Sequence, residues 1–451
     1  MRAALSRSVI APLVMAKNGS RELAYLRHYR RTQFLPPEQL AEHQLLRLRE
    51  LVAHALTHSP FYARHLRNAG LAQAGDVHSL DDLTHLPLLA KEMLRESWSE
   101  ILVPDPGGPP RQEKRTSGST GMPLRIFVDE AARQHKAALT ARHNGWAGYR
   151  LGDPVGYVWG DVEIPTSLRG RMRAALLERA EVLDSQQMEE ARMAEFTARL
   201  RRRRVRVLIG HAQPLCHYAH YLLAVKAPDL PVRAAVPTAM ALYPGQRGLL
   251  EQAFGAVFER YGSEETSIIA SECAEHRGRH IAAEGLIVEV LDERGAPVPP
   301  GQEGEIVITD LLNRATPLIR YRIGDAGIRG EACTCGRGLP VLARVSGRLA
   351  DNVVTPEGKV VSGISITDHL VEVEGIRQVQ IVQEAREELV FRIVRDDRFT
   401  EGSEVRLRQH CARIFGEGMR VRCEFVSAIS AGPGGKYRLC ISHLAEEERP
   451  A

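Results

Sequence analysis

The stretch from Lys114 to Asp129, "KRTSGSTGMPLRIFVD", packs four hydroxyls and two glycines into residues 116–121. Glycine lets backbone N–H groups turn toward a common point, and serine or threonine hydroxyls add further donors. Together they can wrap phosphate oxygens. No Gly-Lys-Ser/Thr follows, so this is not a Walker A loop. Taken alone, a flexible surface turn is the plainer reading. What comes next is more telling. "LRIFV" (124–128) reads as a strand, and "EAARQHKAALTARHNGWAGY" after Asp129 reads as a helix.

The alternation continues outward. "PVGYVWG" (154–160) and "RVLIG" (206–210) are buried-strand candidates, each ending at a glycine, with helical stretches between them. This predicts an α/β core. "EGLIVEVLDERGAPVPPGQEGEIVITDL" reads as strand, turn, strand, with turns at Arg294-Gly295 and Pro299-Pro300-Gly301, and predicts a β-rich subdomain beside that core. Upstream, residues 20–100 read as helical. Leu45, Leu46, Leu51, Val52 and Leu56 form an amphipathic stripe that Ser59-Pro60 stops. Downstream of "VSGRLADNVVTPEGKVVSG" the composition resets. Residues 350–451 predict a small α+β unit: "QVQIVQ" and "ELVFRIV" as a hairpin, "EVRLRQHCARIFG" as a helix and "RVRCEFV" as a strand.

Composition sets bounds. The 451 residues imply two or three domains, and 44% hydrophobic residues supply sizeable cores. A net charge of +4 gives no general case for nucleic acid. One basic run, Arg201–Arg204 with Arg206, reads as a solvated helix end entering a strand at Val205; recruitment of an anionic ligand is the sharper alternative. The first twenty residues read as a helix rather than a signal peptide, and no run of about 18 apolar residues predicts a membrane span. The seven cysteines fit a reduced, cytoplasmic compartment, where clustered cysteines suggest metal or chemistry.

Three further stretches are individually weak. In "FERYGSEETSIIASEC", Tyr261-Gly262-Ser263 ends a strand-like run, and Glu264-Glu265 opens a helix-like one. Acids there suit either Mg²⁺ or an ordinary helix N-terminus. In "LIRYRIGDAG", Asp325 follows a glycine at the end of a strand, placed to accept from two hydroxyls as on a ribose; Arg320 and Arg322 alternate with Tyr321. In "AGPGGKYRLC", Lys436 sits in a glycine-rich loop, ready to meet a developing negative charge or merely solvated.

Their order is specific. The hydroxyl loop, Tyr-Gly-x-x-Glu, Tyr-Arg-x-Gly-Asp, a Gly-Arg hinge and a late Gly-Lys together resemble the adenylate-forming acyl-CoA synthetase superfamily. More narrowly the chain is similar to the phenylacetate–CoA ligase family and its CapK-type branch, on "PFYARHL", "SECAEHRGRHIAAEG", "DLLNRATPLIRYRIGD", "CTCGRGLP" and "GRLADNVVTPEG".

The resemblance implies a residue-by-residue reading. Residues 1–347 would form the adenylate-forming N-terminal domain and 348–451 a mobile C-terminal domain carrying the catalytic lysine. The family activates a small-molecule carboxylic acid with ATP, releases pyrophosphate and passes the acyl group to a thiol, usually CoA. Ser117, Gly118, Ser119, Thr120 and Gly121 would cradle the β- and γ-phosphates, and Glu265 would hold Mg²⁺ beside Gly262, Ser263 and Glu264. Tyr261 would lie against adenine or the α-phosphate, and Asp325 with Arg348 would bind the ribose. Lys436 would bridge carboxylate and α-phosphate, so that Lys436, Glu265 and Thr120 carry the catalytic roles. Cys273, His280, Cys333 and Cys335 match a zinc site found in part of the family. Three thiolates and an imidazole suit a closed structural site; reduced cysteines without metal are the alternative, and His276 is a rival ligand. "GHAQPLCHYAHYL" (210–222) matches the segment lining the acid pocket, making His211, Pro214, Tyr218 and Trp159 candidate walls; a helix with satisfied histidines is the plainer reading. A homodimer is frequent among such proteins.

Three positions depart from the pattern. Leu124 stands where many relatives carry a lysine, Ala350 replaces the first acid of a Gly-Arg-x-Asp-Asp hinge, and "TPEGKVVSG" differs from the glycine-rich segment that lines the pantetheine route. An amine, a hydroxyl or a carrier protein is therefore an alternative acceptor, and a non-catalytic, zinc-stabilised nucleotide-binding scaffold is a third reading.

Overall fold

A computed structural model describes residues 9–104, 111–115, 124–160, 179–227, 230–240, 242, 244–348, 353–358, 360–361, 366, 373–416, 418–429 and 440–444. The chain opens with a helical layer: α1 (Ala11–Lys17), α2 (Glu22–Thr32), α3 (Pro37–His58) and α4 (Pro60–Asn68). Ser59 does end α3, and its hydroxyl accepts from the Tyr62 N–H to start α4 at once. The buried stripe of α3 is Leu40, Gln44, Leu48, Leu51, Val52 and Ala55, while Leu46 stays 57% exposed. The predicted stripe thus holds at Leu51 and Val52, which are buried, and at Leu45 and Leu56, which pack half-buried against the core, and fails at Leu46. The short helices α5 (Lys91–Glu96) and α6 (Trp98–Ile101) follow.

Strands β1 (Gln112–Arg115) and β2 (Arg125–Val128) pair antiparallel, with Arg115 opposite Arg125, so residues 116–124 connect the two arms of a hairpin. Asp129 then caps α7 (Glu130–Trp146) by accepting from the Ala132 N–H. Beyond α7, β3 (Val155–Trp159), β4 (Ala180–Asp184), β5 (Val207–His211), β6 (Ala234–Thr238) and β7 (Ala256–Val257) form a parallel sheet in the order β4-β3-β5-β6-β7. The helices α8 (Glu190–Arg203), α9 (Ala212–Ala224) and α10 (Pro244–Phe254) link its strands. The basic run is the last turn of α8, where arginines complement the helix dipole, and Arg204 turns left-handed to lead into β5.

The chain then builds a seven-stranded antiparallel sheet from β8 (Arg260–Ser263), β9 (Ser267–Glu272), β10 (Arg279–Ile281), β11 (Leu286–Leu291), β12 (Glu303–Asp310), β13 (Tyr321–Arg329) and β14 (Val341–Arg348), in the order β11-β12-β13-β14-β10-β9-β8. Three expectations fail here. Glu264-Glu265 lies in the tight turn between β8 and β9, not at a helix start, because Ser267 adopts φ +67° and the chain doubles back. Asp325 falls inside β13 rather than at its end. The expected alternation around Tyr321 also breaks: Arg320 has φ +49° and is buried against Glu289, while Arg322 is half-exposed on Glu305.

The last unit holds the small pair β15 (Val353–Val354) and β16 (Val360–Val361), then β17 (Ile376–Ala385), β18 (Glu388–Arg395), α11 (Glu401–Phe415), β19 (Arg420–Phe425) and β20 (Cys440–Ser442). Its mixed sheet runs β19-β18-β17-β20 and buries Ile381, Leu389, Phe391 and Ile393 against Leu407, Cys411 and Phe415, a core separate from those upstream. The fold is therefore mixed α/β, with one parallel sheet and antiparallel or mixed sheets around it. Among the described residues no helix is long and apolar enough to cross a membrane.

Candidate functional site

The site begins at the neck of the β1–β2 hairpin. Arg115 and Arg125 face each other across the strands, and both Nε atoms donate to Glu113 Oε1, at 2.7 and 2.8 Å. Two guanidiniums would repel at that spacing; the shared carboxylate offsets them, and they in turn hold its pKa below the usual range. Ser117, Gly118, Ser119, Thr120 and Gly121 lie outside the described residues, as does Lys436. Leu124, which closes the loop, is buried.

The neck is tied to the β8–β9 turn by Lys114, whose ammonium lies 3.7 Å from Glu264. Gly262 is required there: a Cβ on it would come within 2.6 Å of the Ser267 carbonyl oxygen. The Ser263 hydroxyl accepts from the Thr266 N–H at 3.2 Å and fixes the turn. Glu265 is buried, and its carboxylate accepts from the Tyr321 hydroxyl at 3.4 Å. Burial, reinforced by that carboxylate, pushes the Tyr321 phenol well above its ordinary pKa and keeps it a donor.

Tyr261 donates its hydroxyl to Asp325 Oδ2 at 2.6 Å, and Asp325 pairs in register with Arg348 of β14. β14, β10 and β9 lie between β13 and β8 in hydrogen-bond order. In a flat sheet that separation would be about 19 Å, beyond the reach of a tyrosine. The sheet must therefore curl to bring Tyr261 and Asp325 together, as strongly twisted sheets do.

The parallel sheet has its own switch point. β3 is flanked by β4 and β5, so the direction of winding reverses between β3 and β5, and the crevice at the carboxyl ends of such strands is where ligands bind in open α/β sheets. Trp159 ends β3 and His211 ends β5, and their rings lie 4.2 Å apart. The other two wall candidates point elsewhere. Pro214 is buried in the first turn of α9. Tyr218 is fully buried in the layer between helices and sheet, exchanging a 2.8 Å hydrogen bond with Thr197 and packing on Phe196 and Phe254. It faces the core because α9 buries Leu215, Ala219 and Leu222 on the same side.

Cys273 just beyond β9, His280 of β10, and Cys333 and Cys335 beyond β13 converge, with donor atoms all within 4.8 Å of one another. A tetrahedron with zinc–sulfur bonds of about 2.3 Å has edges of about 3.8 Å. The Cys273 and Cys333 sulfurs are 3.8 Å apart, and Cys335 Sγ is 3.3 Å from His280 Nε2. His280 Nδ1 meets the Leu339 carbonyl at 3.3 Å, a contact that aims Nε2 at the thiols. The four residues fit zinc. His276 turns away to Glu272 (3.2 Å) and Phe258.

Sequence reading passed over Lys136. It lies within α7, nearly buried, with Nζ 2.7 Å from the fully buried Asp310 and 3.3 Å from the Glu265 carbonyl. It also lines a cavity of about 310 Å³ with Lys114, Thr140, Asn144, Tyr149 and Ser267. A lysine in a charged amphipathic helix carries no local mark of burial; its partner lies 174 residues away.

Residues 353–443 match the family model for the CapK C-terminal domain. Over 326 residues, 71% of this chain and 73% of the relative, the sequence is 30% identical to the phenylacetate–coenzyme A ligase of Thermus thermophilus. It is 22% identical to protein CapK of Staphylococcus aureus over 421 residues, 90% of each. A crystal structure of 2-hydroxyisobutyryl-CoA ligase in the postadenylation state, in complex with R3-HIB-AMP, shares the fold with a TM-score of 0.76 and 22% identity over 92% of each chain. With the first of these relatives matched across nearly three quarters of its length, the chain belongs to the phenylacetate–coenzyme A ligase family.

Proposed function

We propose that this protein activates a carboxylic acid with Mg·ATP as an acyl-adenylate and passes the acyl group to a thiol, that of CoA. One observation carries the reading: the loop neck, the Glu264-Glu265 turn and the Tyr261–Asp325 pair are joined into one surface by the Lys114–Glu264 contact and the curl of the sheet. In this reading residues 117–121 would hold the β- and γ-phosphates, Asp325 and Arg348 would take the ribose, and Tyr261 would lie against the base. Glu265 is the residue that would hold Mg²⁺, which neutralises the departing pyrophosphate. Lys436 steadies the carboxylate against the α-phosphate, and the crevice at Trp159 and His211 receives the acid. The relative from Thermus thermophilus is a phenylacetate–coenzyme A ligase, which supports CoA as acceptor.

A second reading, in which an amine, a hydroxyl or a carrier protein takes the acyl group, is supported by the sequence departures at Ala350 and in "TPEGKVVSG". Acid-dependent exchange of labelled pyrophosphate into ATP, run over a panel of carboxylic acids, tests the adenylate. No exchange with any acid, in protein that binds Mg·ATP, would leave only a nucleotide-binding scaffold. Product formation with CoA, amines and carrier protein then separates the acceptors.

A further inference from the structure

The four-ligand cluster and the nucleotide surface share two rigid elements. Cys273 follows directly on β9, whose other end is the turn bearing Glu264 and Glu265. The second element is α7. Its last residue, Trp146, lies edge-on to His280 with centroids 5.6 Å apart. Arg337, two residues beyond Cys335, places its guanidinium 4.8 Å from the same ring, and Arg142 stacks on it at 5.4 Å. Trp146 Nε1 and Arg337 Nε both donate to Gln33 Oε1, at 3.0 and 3.1 Å. Arg142 is itself held by the fully buried Glu284. Gly338 donates to the Gln33 carbonyl and approaches so closely that a Cβ would lie 1.9 Å from the Leu35 carbonyl oxygen. Ten residues along α7 from Trp146, about 15 Å at helical rise, Lys136 meets Asp310 and the Glu265 carbonyl.

We propose that Trp146 is a positioning residue, through which an occupied Cys273/His280/Cys333/Cys335 site sets α7 and hence the Lys136–Glu265 contact at the nucleotide surface. Zinc held by the four residues would fix Cys335 relative to His280. Arg337 is then fixed over one face of the indole while His280 meets its edge, and the indole is the end of the helix. Without metal, residues 333–338 keep towards α7, among the described residues, the Gln33 hydrogen bonds, the Arg337 stack and the Cys335–His280 contact, none of which is a coordinate bond.

The nucleotide half of this inference rests on the proposed function; the mechanical half does not. The test compares zinc-loaded and chelator-stripped protein by hydrogen–deuterium exchange, in wild type, Trp146→Phe and Trp146→Ala, with the Mg·ATP KM from pyrophosphate exchange as the second readout. Stripping zinc is expected to raise deuterium uptake in residues 130–146 and 260–272 by about tenfold in wild type and Trp146→Phe. It should also raise KM by about tenfold with little change in kcat. Trp146→Ala should bind zinc stoichiometrically yet show the raised uptake already, with little further change on stripping. Unchanged uptake in residues 130–146 of stripped wild type would overturn the proposal, as would an Ala variant that responds to stripping by the wild-type factor. If Trp146→Ala does not fold, Arg337→Gln, which removes one face of the stack, carries the same expectation and the same refutation. Protein inactive with every acid would sink the proposed function alone, since deuterium uptake needs no turnover.

Discussion

Replacing Lys136 by methionine keeps the length of the side chain and removes its charge. Among the described residues, the Asp310 carboxylate would then remain fully buried with the Leu312 N–H, at 3.1 Å, as its one hydrogen-bond donor and Arg314 as the nearby charge. Breaking a buried pair from one side costs about 3–5 kcal/mol, because the surviving charge stays out of water. If residues 1–347 unfold as one unit, the unfolding entropy is about 0.7 kcal/mol per kelvin, so Tm should fall by about 4–7 °C. Removing both charges, as in Lys136→Met with Asp310→Asn, should recover about 2 kcal/mol or more of the loss, since a neutral pair carries no desolvated ion. Urea unfolding followed by circular dichroism gives the free energies, and calorimetry gives Tm. A Lys136→Met variant within about 1 kcal/mol of wild type would refute the assignment of a tight buried pair. So would a double variant whose loss equals the sum of the single losses.

Four further outcomes follow from the site. Asp325→Ala should raise the KM for ATP by about tenfold or more, while Tyr261→Phe, which loses one hydroxyl and keeps the ring, should cost less; equal effects would argue against Asp325 on the ribose. Glu265→Gln should raise the Mg²⁺ concentration needed for half-maximal exchange by about tenfold with the fold intact; an unchanged requirement would remove Glu265 from the metal. Lys436→Ala should abolish acid-dependent exchange and leave ATP affinity within a few-fold, and wild-type exchange rates would sink its role. Finally, burial, reinforced by Arg47, pushes His135 down to about 4, and burial likewise lowers His28 and His43. The unfolded chain takes up these protons below about pH 6.5 and the folded chain does not, so stability is full above that pH and falls between pH 6.5 and 4. Urea midpoints should drop across that window, and His135→Gln should flatten part of the slope.

Local chemistry was legible in the sequence; curvature and long-range pairing were not. The parallel strands could be read because "VGYVW" and "VLIGH" are short apolar runs bounded by turns. The cysteine cluster followed from a family pattern, and its four donor atoms lie within 4.8 Å of one another. The run after Glu265 misled because "SIIASE" is short and apolar, a pattern that strand and helix share, and only the left-handed Ser267 decides between them. Tyr218 misled because a tyrosine in a pocket-lining segment looks like a wall, whereas the phase of α9 turns it to the core. No periodicity records that β8 swings back to meet β13, so the Tyr261–Asp325 pair was visible only as two residues with matching roles.

The neck of the hydroxyl loop has one more consequence. Arg115 and Arg125 share Glu113, so the collar carries a net charge of +1, and both guanidiniums are at least half exposed. Such exposed pairs add little to stability. They act instead on encounter, since a cationic rim draws a polyanion in before any contact forms, over a distance set by the Debye length of about 8–10 Å. Under the proposed function the collar acts on the rate of capture, and salt should slow the capture of nucleotide far more than it weakens the β1–β2 pairing.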